Sequence, residues 1–245
     1  MNKEQIDAYI AYAKNKLGID FHDINLLIVA LTHRSYVNEH RDTSEHNERL
    51  EFLGDAVLEL VSSDFLFKKY EQPEGIMTAW RAALVNTEAN AEAGERLGYR
   101  ELIRLSRGEK NGSERALRVI MADCYEAIIG AIYLDQGYDA ASKFIYENSL
   151  SRIDEIIESD SWRDSKSFLQ VLSQHIDNVT PVYRVMKEEG PDHDKTFTLG
   201  VFINEKLKAV GVGHSKQEAQ IKAAAEAVRQ YKREHPAEVA QFSVI

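Results

Sequence analysis

The chain has 245 residues, 44% hydrophobic and 29% charged, with four prolines, a single cysteine and a formal net charge of −10. This balance excludes a disordered or low-complexity polymer and describes a helix-rich globular protein of roughly two ordinary domains. No run of about 18 apolar residues is available to span a bilayer, the first residues lack a signal-peptide core, and Cys124 alone can form neither an intramolecular disulfide nor a cysteine zinc cluster, so a cytoplasmic, reducing location is expected.

Residues 2–31 carry apolar side chains at spacings of three and four (Ile6, Tyr9, Ile10, Ala13, then Leu26, Leu27, Ala30, Leu31), which predicts two amphipathic helices broken at Gly18-Ile19. The polar stretch 37–46 reads as a loop. Asn47 is the expected N-cap of a long helix reaching about Tyr70, with Glu48 in its first turn. Glu71-Gln72-Pro73-Glu74-Gly75 signals a turn, residues 78–97 return to helical periodicity, and Gly98 supplies a stop. A loop over 107–115 precedes a mostly apolar helix over 116–134, and a helix over 138–158 closes an all-helical first domain, residues 1–158.

Residues 159–163 are short and polar and read as a linker. Beyond them the rhythm changes: a helix over 166–176, alternating strand-like segments over 181–187 and 195–212 with a turn near Asn204-Glu205, and a helix over 215–232 with Ala219, Ala223 and Ala227 on one face. The order α-β-β-β-α over residues 164–233 describes an α+β domain with helices on one face of an antiparallel sheet, followed by a tail over 234–245. The acidity is uneven. Residues 1–163 hold 19 Lys and Arg against 29 Asp and Glu, whereas residues 164–245 hold 11 of each, so the acidic first domain need not repel a polyanion from the second.

Glu51 and Asp55 are four apart on a helix and share a face, with Glu48 one turn earlier. Like charges at this spacing repel by roughly a few tenths of a kcal/mol on an exposed helix, a cost that a bound divalent cation reverses. Asp123 and Glu126 are three apart in an otherwise apolar helix, where acids need either basic partners or a cation. If the two helices pack together, four carboxylates face one point, and an oxygen-only set suits Mg²⁺, with Mn²⁺ as a substitute, better than zinc. A solvated or salt-bridged acidic face is the alternative that pattern alone leaves open. Gly54 interrupts the first helix at a cost of about 1 kcal/mol relative to Ala, which predicts a close approach by a neighbouring element.

Residues 47–58 (NERLEFLGDAVL) resemble the signature sequence of the bacterial ribonuclease III family, and LTHRSY at 31–36 upstream, RAALV at 81–85, and Ala122-Asp123 with Glu126-Ala127 downstream also resemble that family, in its order. The resemblance continues through the second domain. It implies an all-α endonuclease domain followed by a small α+β double-stranded-RNA-binding domain. By the same resemblance Glu51, Asp55, Asp123 and Glu126 bind the metal, with Asp55 and Glu126 catalytic, while Glu48 and Glu74 lie in the outer shell or near the RNA strand. Glu59 continues the row outside the family's set and reads as structural. Phe52 is implied as a dimer contact that plugs a cavity on the partner subunit. His33 is read as a capping or hydrogen-bonding residue ahead of a proton shuttle, and Cys124 as packing.

In the second domain three places resemble the surfaces that touch an RNA duplex: Lys166, Gln170 and Gln174 on the first helix, the loop Gly190-Pro191-Asp192-His193, and a Gly-rich turn from Gly211 to Gly213 leading to Ser215, Lys216 and Gln217 at the last helix. A helix N-terminus offers unpaired N–H groups to phosphate, and Lys216 adds a full charge. Gln217 and Gln220 stand where the family carries further basic residues, so weaker phosphate clamping and a shallower salt dependence are expected. The implied activity is hydrolysis of double-stranded RNA by a homodimer, each subunit cutting one strand to leave 5′-phosphate and 3′-hydroxyl ends, in ribosomal and messenger RNA processing, with no membrane and no small-molecule cofactor. The rivals are an inactive RNA-binding scaffold of the same fold and a helical metal-dependent hydrolase acting on nucleotides.

Overall fold

Two long helices organise the first part of the chain: α4 (Glu48–Lys69), which carries the Glu51/Asp55 pair, and α8 (Glu114–Gln136), which carries Asp123 and Glu126. In the computed structural model, which describes residues 1–40, 44–159, 164–191 and 195–240, the chain divides into two compact units, Met1–Trp162 and Arg163–Ile245. The expected linker falls almost wholly outside the described residues, as does His193.

Around α4 and α8 lie α1 (Lys3–Tyr12), α2 (Ile24–Ala30), α3 (Arg34–Glu39), α5 (Glu74–Leu84), α6 (Thr87–Leu97), α7 (Arg107–Lys110), α9 (Tyr138–Asn148) and α10 (Ile153–Ser159). Helix α8 runs through the middle of the core, with Ile120, Met121, Cys124, Tyr125, Ile128, Ile129 and Ile132 all buried. Leu50, Val57, Leu58, Val61 and Leu66 form the matching stripe on α4. Where the two helices cross, neither could carry a side chain. A Cβ on Gly54 would lie 1.7 Å from the backbone oxygen of Glu126, and one on Gly130 would lie 2.3 Å from the backbone oxygen of Leu50. The close approach expected at Gly54 is therefore an approach of backbone to backbone.

Several helix limits differ from the sequence reading, each for a local reason. The loop expected from residue 37 begins later, because His33 caps a short helix, α3, with its Nδ1 accepting from the Ser35 amide. Residues 78–97 form two helices: Asn86 ends α5 by donating to the Ala82 carbonyl at 2.9 Å and starts α6 by accepting from the Ala89 amide at 2.9 Å. One turn of helix, α7, lies within the loop expected over 107–115. The helix expected over 138–158 breaks at Ser149, whose hydroxyl pairs with buried Tyr125 at 2.6 Å. Asn47 does mark the start of α4, but its side chain makes no cap bond and instead reaches Cys124 Sγ at 3.7 Å.

The second unit follows the expected order: α11 (Ser165–Asp177), β1 (Val182–Glu189), β2 (Thr196–Ile203), β3 (Lys206–Gly213) and α12 (Lys216–Glu234). The sheet is an antiparallel meander with β2 central. Asn204 and Glu205 both take positive φ, 49° and 61°, as a two-residue hairpin turn requires. Leu169, Leu172, Val201, Ala209 and the alanine stripe of α12 make its core. Gly211 and Gly213, expected in a turn, belong to β3, and a Cβ on Gly211 would meet the Ala219 backbone oxygen at 2.2 Å. The expected tail begins with another short helix, α13 (Pro236–Ala240), which buries Val239. Among the described residues no helix is long and apolar enough to cross a membrane.

The crossing of α4 and α8 yields a stability test. Gly54→Ala forces backbone apart and is expected to cost about 3 kcal/mol. Gly75→Ala, in α5 where a Cβ meets nothing within 4 Å, is expected to be neutral or stabilising by roughly 0.5–1 kcal/mol. Denaturant unfolding of both variants checks this; equal, small effects would contradict it.

Candidate functional site

The glycine crossing sets the spacing of the acids, because Glu51 and Asp55 flank Gly54 on α4 and Glu126 is the residue whose backbone Gly54 touches. Glu51, Asp123 and Glu126 are half-buried and Asp55 is exposed. Burial, then Asp55, pushes the Glu126 carboxyl up to about 7; the Asn90 amide opposes the rise, and Asp123 and Glu51 add to it. Burial, followed by Asp123, Glu48 and Asp55, raises Glu51. Burial and then Glu48 raise Asp123. Every charge named in these shifts is another carboxylate.

Like charges gathered in this way are what a cation would offset, and oxygen-only donors match the preference of a hard divalent ion. Among the described residues no three His, Cys, Asp or Glu side chains stand as a set that could hold a metal ion as placed. The fold thus places these carboxylates in one another's electrostatic field.

The other expected residues divide. Glu48 is partly compensated by Arg34 Nη1 at 3.3 Å and His46 Nδ1 at 3.8 Å. Glu59 is tied to Arg81 at 2.9 Å, in keeping with a structural role. Glu74 stands exposed at the start of α5, in a groove with Asp64, Phe67 and Arg81, and the fold of one chain does not bring it to the four acids. Cys124 is buried, with its thiol pushed up by burial and then by Asp123, so it packs and does not react. Asn90 was not anticipated. It is fully buried on α6 and donates to Glu126 Oε1 at 2.9 Å. Its spacing of four from Gly94 and seven from Leu97 places it on the buried face, a signal present in the sequence.

Phe52 is 81% exposed on α4, beside an apolar groove lined by Leu26, Val29, Leu53 and Leu134. An aromatic ring left so open, next to an apolar recess, is a feature of surfaces that associate.

In the second unit Lys166, Gln170 and Gln217 line one shallow groove between α11 and α12. Gln174 lies one turn on and bonds Thr180 at 3.3 Å. Ser215 caps α12 by accepting from the Glu218 amide at 3.1 Å. Lys216 reaches Glu188 on β1 at 2.9 Å, Lys222 reaches Glu218 at 2.7 Å, and Lys166 donates to Gln220 at 2.9 Å. The cations near this helix start are thus already engaged by the protein.

Residues 23–153 match the family model described as ribonuclease-III-like, and residues 165–231 match the double-stranded RNA binding motif. The chain is 45% identical to Ribonuclease 3 of Geobacillus kaustophilus, with 86% of each chain covered. It is 44% identical to Ribonuclease 3 of Enterococcus faecalis, covering 88% of this chain and 94% of that one. A nuclease-domain structure of the Campylobacter jejuni ribonuclease III, described for flexibility in a region involved in dimer formation, is 41% identical, with a TM-score of 0.51 over 57% of this chain and 97% of that one.

The raised carboxyls set a pH dependence. The folded state holds the Glu126 proton more tightly than the unfolded chain does, because the value rises from 4.5 to about 7. Its stabilising contribution is therefore complete below 4.5 and is lost as pH climbs towards 7. In chelator, the melting temperature of Glu126→Gln relative to the unsubstituted protein should rise across that window. A constant difference would contradict the assignment.

Proposed function

The chain belongs to the ribonuclease III family, and from that footing we propose that it is a Mg²⁺-dependent endoribonuclease that hydrolyses double-stranded RNA as a homodimer, with Mn²⁺ able to substitute. One observation carries the reading: two helices cross at paired glycines, and there Asp55 and Glu51 of α4, with Asp123 of α8, all raise the Glu126 carboxyl. Glu51 and Asp55 from α4 and Asp123 and Glu126 from α8 would hold the ion, with Asp55 and Glu126 nearest the chemistry and Glu48 in the outer shell. Mg²⁺ bound there lowers the pKa of a water and offsets charge on the leaving oxygen.

The protein's own part is to present oxygen ligands, three of them half-buried, where desolvation strengthens their pull on a cation. No protein nucleophile is required, and Cys124, buried with a raised thiol, supplies none. Cleavage would leave 5′-phosphate and 3′-hydroxyl ends. Phe52 would seat in the Leu26/Val29/Leu53 groove of a second copy, a self-complementary arrangement that a two-fold dimer uses twice. Glu74, remote from the acids of its own chain, fits a role near the strand handled by the partner.

The second unit would read A-form shape through Lys166, Gln170, Gln174 and Gln217, with His193 in the loop and Ser215 and Lys216 at the start of α12. Ribosomal and messenger precursors in the cytoplasm are the natural class of substrate. The inactive-scaffold alternative is disfavoured because all four acids are present and the other three all act on Glu126.

Incubating a long RNA duplex with the protein should give cutting with Mg²⁺ or Mn²⁺ and none with chelator. Glu126→Gln should keep duplex affinity within about threefold and lose cleavage by roughly 10² or more; a variant that still cuts would refute the assignment. The ion pair of Lys216 with Glu188 gives a second test. Glu188→Gln frees Lys216 for phosphate and should steepen the slope of log affinity against log salt by up to about 0.9. An unchanged slope would remove Lys216 from the interface.

A further inference from the structure

We propose that Asn90 is a positioning residue for Glu126, holding one of its carboxylate oxygens through the side-chain amide so that the acid is oriented towards the metal it would share. The inference rests on Glu126 being a ligand, as read above. Asn90 is fully buried, a place where an apolar side chain ordinarily packs. Its Nδ2 lies 2.9 Å from Glu126 Oε1, and its Oδ1 is buried with no hydrogen-bond partner among the described residues. An ionised carboxylate only accepts, so the amide faces it NH₂ first and the carbonyl oxygen is left over.

An orphaned carbonyl oxygen inside the protein weakens the fold, and a leucine of similar size would avoid that loss. The one bond the amide makes goes to a carboxylate of the metal set. Polar groups that cost stability and serve a ligand's orientation are a known mark of metal sites, where partners behind the ligands tune affinity.

Helix α6 is a rigid platform for such a contact. Asn86 caps its start, Arg118 of α8 pairs with Glu88 and, at 2.8 Å, with Glu95. Gly94 packs so tightly on Tyr99 that a Cβ there would meet the phenol oxygen at 2.2 Å. That same phenol donates to the Met121 carbonyl at 2.7 Å. The amide is therefore anchored to the helix that carries Glu126 from both of its ends.

The test uses the full chain, with Asn90→Leu, Asn90→Ala and Glu126→Gln. Mn²⁺ affinity is read from the free-ion electron paramagnetic resonance signal, and thermal stability is measured in chelator. Asn90→Leu should melt at or above the temperature of the unsubstituted protein while binding Mn²⁺ about 10–100-fold more weakly. Asn90→Ala, whatever its melting point, should show the same loss of affinity when folded. Unchanged Mn²⁺ affinity in either folded variant, with Glu126→Gln weakened, would overturn the role of Asn90 alone. Mn²⁺ binding that Glu126→Gln does not weaken would overturn the metal reading beneath it.

Discussion

Backbone-to-backbone contact between α4 and α8 is the constraint from which the rest of the first unit follows. Gly54 and Gly130 face the backbone of the opposing helix so closely that neither has space for a single carbon. A glycine in a helix interior is unfavourable by about 1 kcal/mol relative to alanine, and here each one removes the side chain that would hold the helices at the usual 8–10 Å. With backbone against backbone at the crossing, Glu51 and Asp55 of α4 enter the field of Asp123 and Glu126 of α8.

The electrostatics follow from that geometry. A carboxylate in the pocket loses water on one side and meets like charges on the other, so both effects push in the same direction. Nearby arginines pair with other acids: Arg34 with Glu48 at the edge of the cluster, Arg81 with Glu59, Arg118 with Glu88 and Glu95. Glu51, Asp123 and Glu126 are each raised by neighbouring carboxylates, an excess of like charge that a hard cation would offset. In the second unit the order is reversed, since Lys216 and Lys222 are each held by a glutamate, and binding a polyanion there is an exchange of partners that gains less than the count of lysines suggests.

Much of this was legible in the chain itself. Period and glycine placement located α4, α8 and the three strands, and the spacing of Glu51 with Asp55 and of Asp123 with Glu126 put each pair on one face. What the sequence hid was either tertiary or two-sided. Asn86 serves as both a stop and a start, so a continuous periodicity concealed two helices. Gly211 and Gly213 read as a turn because their need, room for the backbone of α12, belongs to packing. The spacing of Asn90 from Gly94 and Leu97 marks a buried face, but its partner Glu126 lies on another helix and only the fold brings the two together. Glu74 lies apart from the acids within one chain.

The claim at the centre is that Glu51, Asp55, Asp123 and Glu126 close around a single type of hard cation at the α4/α8 crossing. Anomalous diffraction from crystals of the protein soaked in Mn²⁺ addresses it without reference to turnover. The account predicts a peak bounded by oxygens of those residues, within about 2.0–2.3 Å of at least two of them. A fully occupied Mn²⁺ elsewhere in the unit, with these four carboxylates still spread apart and uncoordinated, would contradict it.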